Sequence, residues 1–112
     1  MDMYRMEEFV LCVSNAYEKK YYLSDRFEAI PQSVKDELKI MCVLFTEDVG
    51  GILELVFNED EELELRTTSD EGDLLYDEIG ARLKVKKLQQ TKQELFESLT
   101  LFYRVLVLGK VD

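Results

Sequence analysis

The stretch Ile52-Leu-Glu-Leu-Val-Phe-Asn-Glu-Asp-Glu-Glu-Leu-Glu-Leu-Arg-Thr-Thr68 decides the fold class. The residues predicted to face inward take every second position in both halves, which is typical of two half-buried strands: Leu53, Leu55 and Phe57, then Leu63 and Leu65. The five residues between them are all polar and suit the loop of a β-hairpin. The stretch therefore predicts an antiparallel strand pair with one apolar face.

The charges in this stretch indicate how the two strands are aligned. Directly opposed residues of an antiparallel pair lie on one face of the sheet, and opposed like charges are destabilising. Pairing Leu55 with Leu65 joins the apolar residues and sets Glu54 opposite Arg66. A slip of two residues would keep the faces but set Glu54 against Glu64. We therefore predict the first register.

The segment before the hairpin predicts a helix over residues 32–47. Pro31 suits a first helical position, and Ser33 with Asp36 resembles a capping box. An apolar stripe follows at helical spacing: Val34, Leu38, Met41 and Phe45. The second half of this helix is apolar on every side, so we expect other elements to cover it. A buried strand over residues 40–46 is the alternative, and Gly50-Gly51 ends either element.

The first segment of the chain fits two structures. Apolar residues recur at spacings of four, three and four, which favours a helix over residues 4–20: Met6, Val10, Val13 and Tyr17. The alternative is a hairpin around Ser14-Asn15, in which residues 9–13 return through residues 21–23. That hairpin lacks a two-residue glycine turn.

The segment after the hairpin predicts one or two further helices. Leu75, Ile79 and Leu83 step by four, which indicates a short helix with acidic residues in its first turns. Apolar and basic residues then alternate, so residues 82–87 are either a third strand or a kink. The clearest helix runs over about residues 89–108 and ends at Gly109, with a long apolar stripe: Leu88, Leu95, Leu99, Phe102 and Leu106.

Together these elements predict one α+β domain over residues 1–112. The expected order is helix, helix, β-hairpin, then one or two helices, with a small antiparallel sheet packed on the helices. A chain of 112 residues is long enough to bury a single core. Its 46% hydrophobic content excludes wholesale disorder, although 34% of the residues are charged.

The two cysteines, Cys12 and Cys42, each lie in an apolar run, where a thiol packs as a small hydrophobic group. We expect two buried thiols, with a disulfide as the alternative. Histidine is absent, which excludes a Cys/His zinc site, and we expect no metal and no cofactor. The acidic N-terminus does not resemble a signal peptide, and no apolar run approaches the ~20 residues that cross a bilayer. We therefore expect a cytoplasmic protein with no membrane partner.

Charge is divided unevenly along a chain of net charge −10. Residues 47–78 carry 13 acids and one base, whereas residues 79–112 carry seven bases and three acids. Two candidate binding surfaces follow. The acidic one, suited to a basic protein partner, comprises Glu59, Asp60, Glu61 and Glu62. The basic one comprises Arg82, Lys84, Lys86, Lys87 and Lys92. The overall charge would repel nucleic acid, so binding through the basic surface is at most weak.

No motif in the sequence identifies a catalytic centre. A nucleophile generally needs a base such as histidine, and phosphate-binding glycine motifs are absent. The acidic loop lacks the glycine and ligand spacing of a calcium loop. Acid–base chemistry by paired carboxylates has four candidates that nothing fixes across one cleft: Glu47, Asp48, Asp77 and Glu78. A cluster of aromatic residues offers a further binding surface: Tyr17, Tyr21, Tyr22 and Phe27.

Two stretches carry a resemblance to known proteins. They are Glu-Leu-Lys-Ile-Met-Cys-Val-Leu-Phe-Thr-Glu-Asp-Val-Gly-Gly at residues 37–51 and Tyr-Asp-Glu-Ile-Gly-Ala-Arg-Leu-Lys at residues 76–84. They resemble a family of small uncharacterised bacterial proteins from Gram-positive anaerobes. The resemblance implies a bacterial cytosolic protein and carries no catalytic motif.

These observations favour a non-enzymatic protein–protein interaction or regulatory module. A small carboxylate-based enzyme or ligand-binding protein is the first alternative, and a weak nucleic-acid binder is the second. Self-association is also expected, since the apolar stripe over residues 95–108 is broader than a small sheet covers.

Overall fold

The computed structural model describes residues 7–110. This part of the chain contains, in order, β1 (Phe9–Asn15), β2 (Lys20–Leu23), a 3₁₀ turn (Asp25–Phe27), α1 (Gln32–Val49), β3 (Ile52–Phe57), β4 (Leu63–Thr68), α2 (Glu78–Thr91) and α3 (Gln93–Leu106). The strands form one antiparallel sheet in the order β2-β1-β3-β4. The α+β class is confirmed, but the expected order of elements is wrong at its start because a hairpin replaces the first helix.

The β3–β4 hairpin has the predicted strands and the predicted register. Leu55 lies opposite Leu65, and Glu54 lies opposite Arg66. The Arg66 guanidinium donates hydrogen bonds to the carboxylates of Glu64 and Glu8, on the same side of the sheet. The register predicted from the charges is therefore confirmed, although Arg66 forms its ion pairs with Glu8 and Glu64 and not with Glu54.

The predicted helix over residues 4–20 is wrong, and its first three residues lie outside the described range. Residues of β1 and β2 pair from Cys12 with Leu23 to Asn15 with Lys20. The Asn15 side-chain oxygen accepts the backbone N–H groups of Tyr17 and Glu18, which fixes the turn in place of a glycine. The hairpin alternative is confirmed, with its turn later than expected.

One face of the sheet carries the core. Cys12, Ser14 and the alternate β3 residues Leu53, Leu55 and Phe57 point to this face, where α1 and α3 pack. The ring of Tyr103 on α3 stacks on Phe57 with centroids 4.1 Å apart and an interplanar angle of 3°. Both helices therefore pack on the same side, and the described helices leave the opposite face of the sheet uncovered.

The helix α1 is confirmed, but two expectations about it are wrong. Pro31 precedes the helix as its N-cap, and Ser33 makes no capping hydrogen bond within residues 7–110. Other elements do not cover the second half on every side, because Ile40 and Leu44 are each 58% exposed. The strand alternative over residues 40–46 is excluded by the helical backbone.

The strand alternative over residues 82–87 is excluded, because α2 runs through these residues. Asp77 caps α2 by accepting the Gly80 N–H at 2.8 Å. The face of α2 that packs inward steps by four and three: Ala81, Val85 and Leu88. The stripe predicted from the sequence points outward instead: Leu75, Ile79 and Leu83 are 64–92% exposed. The helical backbone is interrupted at Lys92, so the single helix predicted over residues 89–108 is in fact the end of α2 followed by α3.

Candidate functional site

A concave groove with an apolar lining lies between α1 and α2. The two helices run antiparallel, since Asp48 near the end of α1 pairs with Lys84 near the start of α2. At the other end, Lys92 donates to Glu37 at 3.1 Å. The α1 residues of these two ion pairs are eleven positions apart, about 16 Å along a helix. The ion pairs thus tie the helices together at each end of the groove.

The groove has an apolar floor and a volume of about 660 Å³. Its floor is aliphatic and aromatic: Ile40, Met41, Leu44, Phe45 and Leu88. Its rims are polar, with Ser33 and Asp36 on α1 and Lys87 on α2. This combination, a wide apolar floor with a few polar groups at the edge, is typical of binding sites.

Exposed aliphatic side chains lie both in the groove and beside it. On α1, Ile40 and Leu44 stand one turn apart and are each 58% exposed. On α2, Ile79 and Leu83 also stand one turn apart, 73% and 64% exposed. We call the groove together with these two pairs the α1–α2 face. Exposed aliphatic side chains grouped around an apolar groove are typical of interaction sites in soluble proteins.

The predicted basic surface forms only part of one wall of the groove, because Lys84, Lys87 and Lys92 line it whereas Arg82 lines a separate pocket. Three of its five members are ion-paired within the chain: Arg82 with Glu78, Lys84 with Asp48, and Lys92 with Glu37. Lys86 and Lys87 have no ion pair within residues 7–110. The basic surface therefore offers two uncommitted cations instead of the five that a phosphate-binding patch would use.

The predicted acidic surface is partly committed to the fold. Glu61 adopts a left-handed backbone (φ 64°), and its carboxylate lies 3.4 Å from the Arg104 guanidinium and 2.5 Å from the Lys110 ammonium. These cations lower the pKa of Glu61. Asn58 organises the rest of the loop, since its side-chain oxygen accepts the N–H groups of Asp60 and Glu62. The hairpin tip thus fastens the end of α3 and is not a freely solvated loop.

The four carboxylates proposed for acid–base chemistry do not meet in a cleft. Asp48 and Glu78 are held in ion pairs, and Asp77 caps α2. The acids that line the groove are Asp36 and Glu37 instead. Within residues 7–110, no three cysteine, aspartate or glutamate side chains are placed to hold a metal ion together.

The predicted aromatic cluster is divided among separate environments. Phe27 is fully buried, and Tyr22 is 53% exposed on the uncovered face of the sheet. The Tyr17 hydroxyl donates to Asp73 and accepts the Asp70 N–H, so it anchors the loop before α2. The hydrogen bond to Asp73 raises the pKa of Tyr17. Because the aromatic residues lie in these different environments, they form no common binding surface.

The two thiols are buried, as predicted, and lie against each other. Their sulfur atoms are 3.8 Å apart, Cys12 on β1 and Cys42 on α1, and both are free. The Tyr21 hydroxyl is buried beside them without a hydrogen-bond partner in the described structure. The interaction with Cys12, together with burial, raises the pKa of the Cys42 thiol. A thiol held protonated in this way is chemically unreactive.

The α1–α2 face contains the residues whose placement the sequence analysis missed. The signal is the second half of α1, which is apolar on every side and was expected to be covered by other elements. The structure shows that Ile40 and Leu44 lie at the surface instead.

No helix within residues 7–110 is long and apolar enough to cross a membrane. A family model described as a family of unknown function (DUF6145) matches residues 8–111. No curated protein and no solved structure matches the chain.

Proposed function

The chain belongs to the DUF6145 family, whose function is unknown, and we propose that it is a non-enzymatic protein-interaction module. The observation that carries this proposal is the α1–α2 face, where an apolar groove is flanked by exposed pairs of aliphatic side chains. Its partner is a protein that presents an amphipathic helix. The bacterial origin and cytoplasmic location expected from the sequence stay predictions.

The shape of the face favours a protein over a small molecule. A groove of about 660 Å³ is large enough for a small ligand. The exposed aliphatic residues, however, extend along the outer side of α2 to Ile79 and Leu83, on a convex surface that a small ligand does not cover. A helix laid in the groove would contact the floor and both aliphatic pairs, with anchors at helical spacing.

The charges of the face set a requirement on the partner. Lys86 and Lys87 on the α2 side are uncommitted, so a partner with acidic residues along that edge gains the most. The acidic hairpin remains a second predicted contact surface, for a basic partner. Its contribution is limited because Glu61 is already paired with Arg104 and Lys110.

Site-specific photo-cross-linking in cells of the source organism tests the proposal. A photoreactive phenylalanine analogue replaces Leu44 in the groove or, as a matched control, Leu101 on the outer side of α3 (58% and 63% exposed). We expect position 44 to give an adduct whose attachment site maps to the apolar side of a helix in a protein. The adduct should be lost in the Leu83→Glu background. Equal labelling at positions 44 and 101, or none at either, would overturn the proposal.

A further inference from the structure

We propose that the partner at the α1–α2 face is a second copy of this chain. This inference rests on the proposed function, since it names the occupant of the same surface. The two copies would be related by a two-fold axis and would pack their α1–α2 pairs against each other, as in a four-helix arrangement.

The α1–α2 face carries both parts of a self-complementary contact, a groove and an exposed aliphatic pair. The groove accepts side chains that project from a helix at a spacing of one turn. The chain itself presents such a pair beside the groove, Ile79 with Leu83, which are 73% and 64% exposed. In a two-fold interface, the pair of one copy packs on the groove of the other and the reverse contact forms at the same time.

The helices α1 and α2 carry net charges of opposite sign. Residues 32–49 of α1 carry four acids and two bases, whereas residues 78–91 of α2 carry four bases and one acid. Asp48 and Glu37 of α1 already pair within the chain with Lys84 and Lys92. The acids of α1 outside these ion pairs are Asp36 and Glu47, and packing α1 of one copy beside α2 of the other brings them toward the cations of α2. The uncommitted cations Lys86 and Lys87 would then face the acidic helix of the second copy.

A competing surface for self-association lies on α3. The stripe over residues 95–108 that motivated this expectation from the sequence is largely used by the core, since Leu95, Leu99 and Tyr103 are buried. Leu101 and Val105 stay more than half exposed, again one turn apart. The groove that Leu101 lines is edged mainly by polar and charged side chains such as Gln89, Gln93 and Arg104, so we assign the contact to the more apolar α1–α2 face.

Analytical ultracentrifugation over a broad range of protein concentration tests the assignment. The native chain should sediment as a dimer of twice 13.2 kDa. Leu44→Glu and Leu83→Glu should each weaken dimerisation by roughly 30-fold or more, because a charge would be placed in the desolvated centre of the contact. Leu101→Glu, equally exposed and on a helix, should leave the dimer unchanged. Circular dichroism of each variant shows that the fold is kept.

Two results would overturn the inference. One is a native chain that is monomeric at every concentration, and the other is a dimer that Leu101→Glu dissociates and Leu44→Glu does not. Its failure is distinguishable from failure of the proposed function. A monomeric chain that still forms an adduct at position 44 with a different protein keeps the interaction module and removes only the second copy.

Discussion

At the scale of residues, two matched contacts join β1 to α1. Cys12 faces Cys42, and Ser14 forms a buried hydrogen bond of 2.8 Å with Thr46. Two residues along a strand advance by about 6.6 Å and four residues along a helix by about 6 Å, so both contacts fit one strand–helix crossing. These small and weakly polar side chains let the helix lie close to the sheet.

Thr46→Val should therefore destabilise the fold by about 1–3 kcal/mol, because the Ser14 hydroxyl, only 2% exposed, would lose its partner. Adding Ser14→Ala should recover much of that loss, since no buried donor or acceptor of the pair would remain. Urea unfolding of the two single variants and the double variant measures the coupling. Strictly additive losses would contradict the assigned hydrogen bond.

Alkaline pH should lower the free energy of unfolding through the buried thiol and phenol groups at the contact between β1 and α1. The neighbouring Cys12 and burial raise the pKa of Cys42, and burial raises the pKa of Tyr21. Both groups hold their protons longer in the folded chain, so their contribution is complete below the unfolded thiol pKa of about 8.5 and declines as the pH rises above it. The thiol alone accounts for a slope of up to about 1.4 kcal/mol per pH unit.

Urea midpoints measured on both sides of that pH test this prediction. The native chain should lose stability above it, and Cys42→Val should show a shallower decline because one of the two groups is removed. The comparison uses slopes, so any constant packing cost of the substitution cancels. A Cys42→Val variant with the native slope would assign the alkaline loss to other groups.

At the scale of elements, the sequence predicted best where charge restricted the choice. The β3–β4 register followed from Glu54 and Arg66, and its physical basis is local. The first segment failed because a bulge between Val10 and Cys12 breaks the alternation of β1 and buries Leu11 and Cys12 in succession. Without strict alternation, a strand shows no period of two, and the accidental helical spacing was stronger.

The prediction for α2 was wrong for a different reason. Two apolar stripes run along it, and only one packs inward, ending at Leu88. The sequence alone does not say which stripe the core uses, since that depends on where α1 lies. For the same reason the sequence did not reveal the candidate site, because nothing within an apolar run distinguishes the exposed Leu44 from the buried Met41.

The hairpin tip makes an element-scale prediction. Glu61→Gln removes the charge that holds Arg104 and Lys110, so the last turn of α3 should open more often. We expect severalfold faster amide exchange at Leu108 and Lys110, whose N–H groups bond to Tyr103 and Arg104. Hydrogen exchange with mass spectrometry measures this change.

The matched control for the hairpin tip is Asp60→Asn, which makes the same chemical change one residue away. Its exchange pattern at the end of α3 should remain native. Acid should reproduce the Glu61→Gln result, because the pKa of Glu61 is lowered by its cations and the tie is lost only as the pH falls through that lowered value. Equal effects of both substitutions would point to loop charge in general.

At the scale of the whole molecule, α1 and α3 pack on one face of the sheet, and α3 joins the core through Leu95, Leu99 and Tyr103. Tyr103 is 1% exposed and contacts both Phe57 and Phe9. The α+β class followed from the hairpin and helix patterns. The layering did not, because a sheet of four strands forms only when the first hairpin is recognised. With four strands in place, the helices have one covered face each, and the surplus apolar residues of α1 and α2 are left outside.

This arrangement predicts that residues 7–110 unfold as one cooperative unit through Tyr103. Tyr103→Ala should cost about 3–5 kcal/mol, a large part of the 5–15 kcal/mol that stabilises a typical domain. Tyr103→Phe should cost far less, since it keeps the ring that stacks on Phe57. Urea unfolding followed by far-ultraviolet circular dichroism and by tyrosine fluorescence should give coincident transitions for the native chain and for Tyr103→Phe. An early transition of α3 that leaves the sheet intact would instead show that α3 is a separate unit docked on the remaining fold.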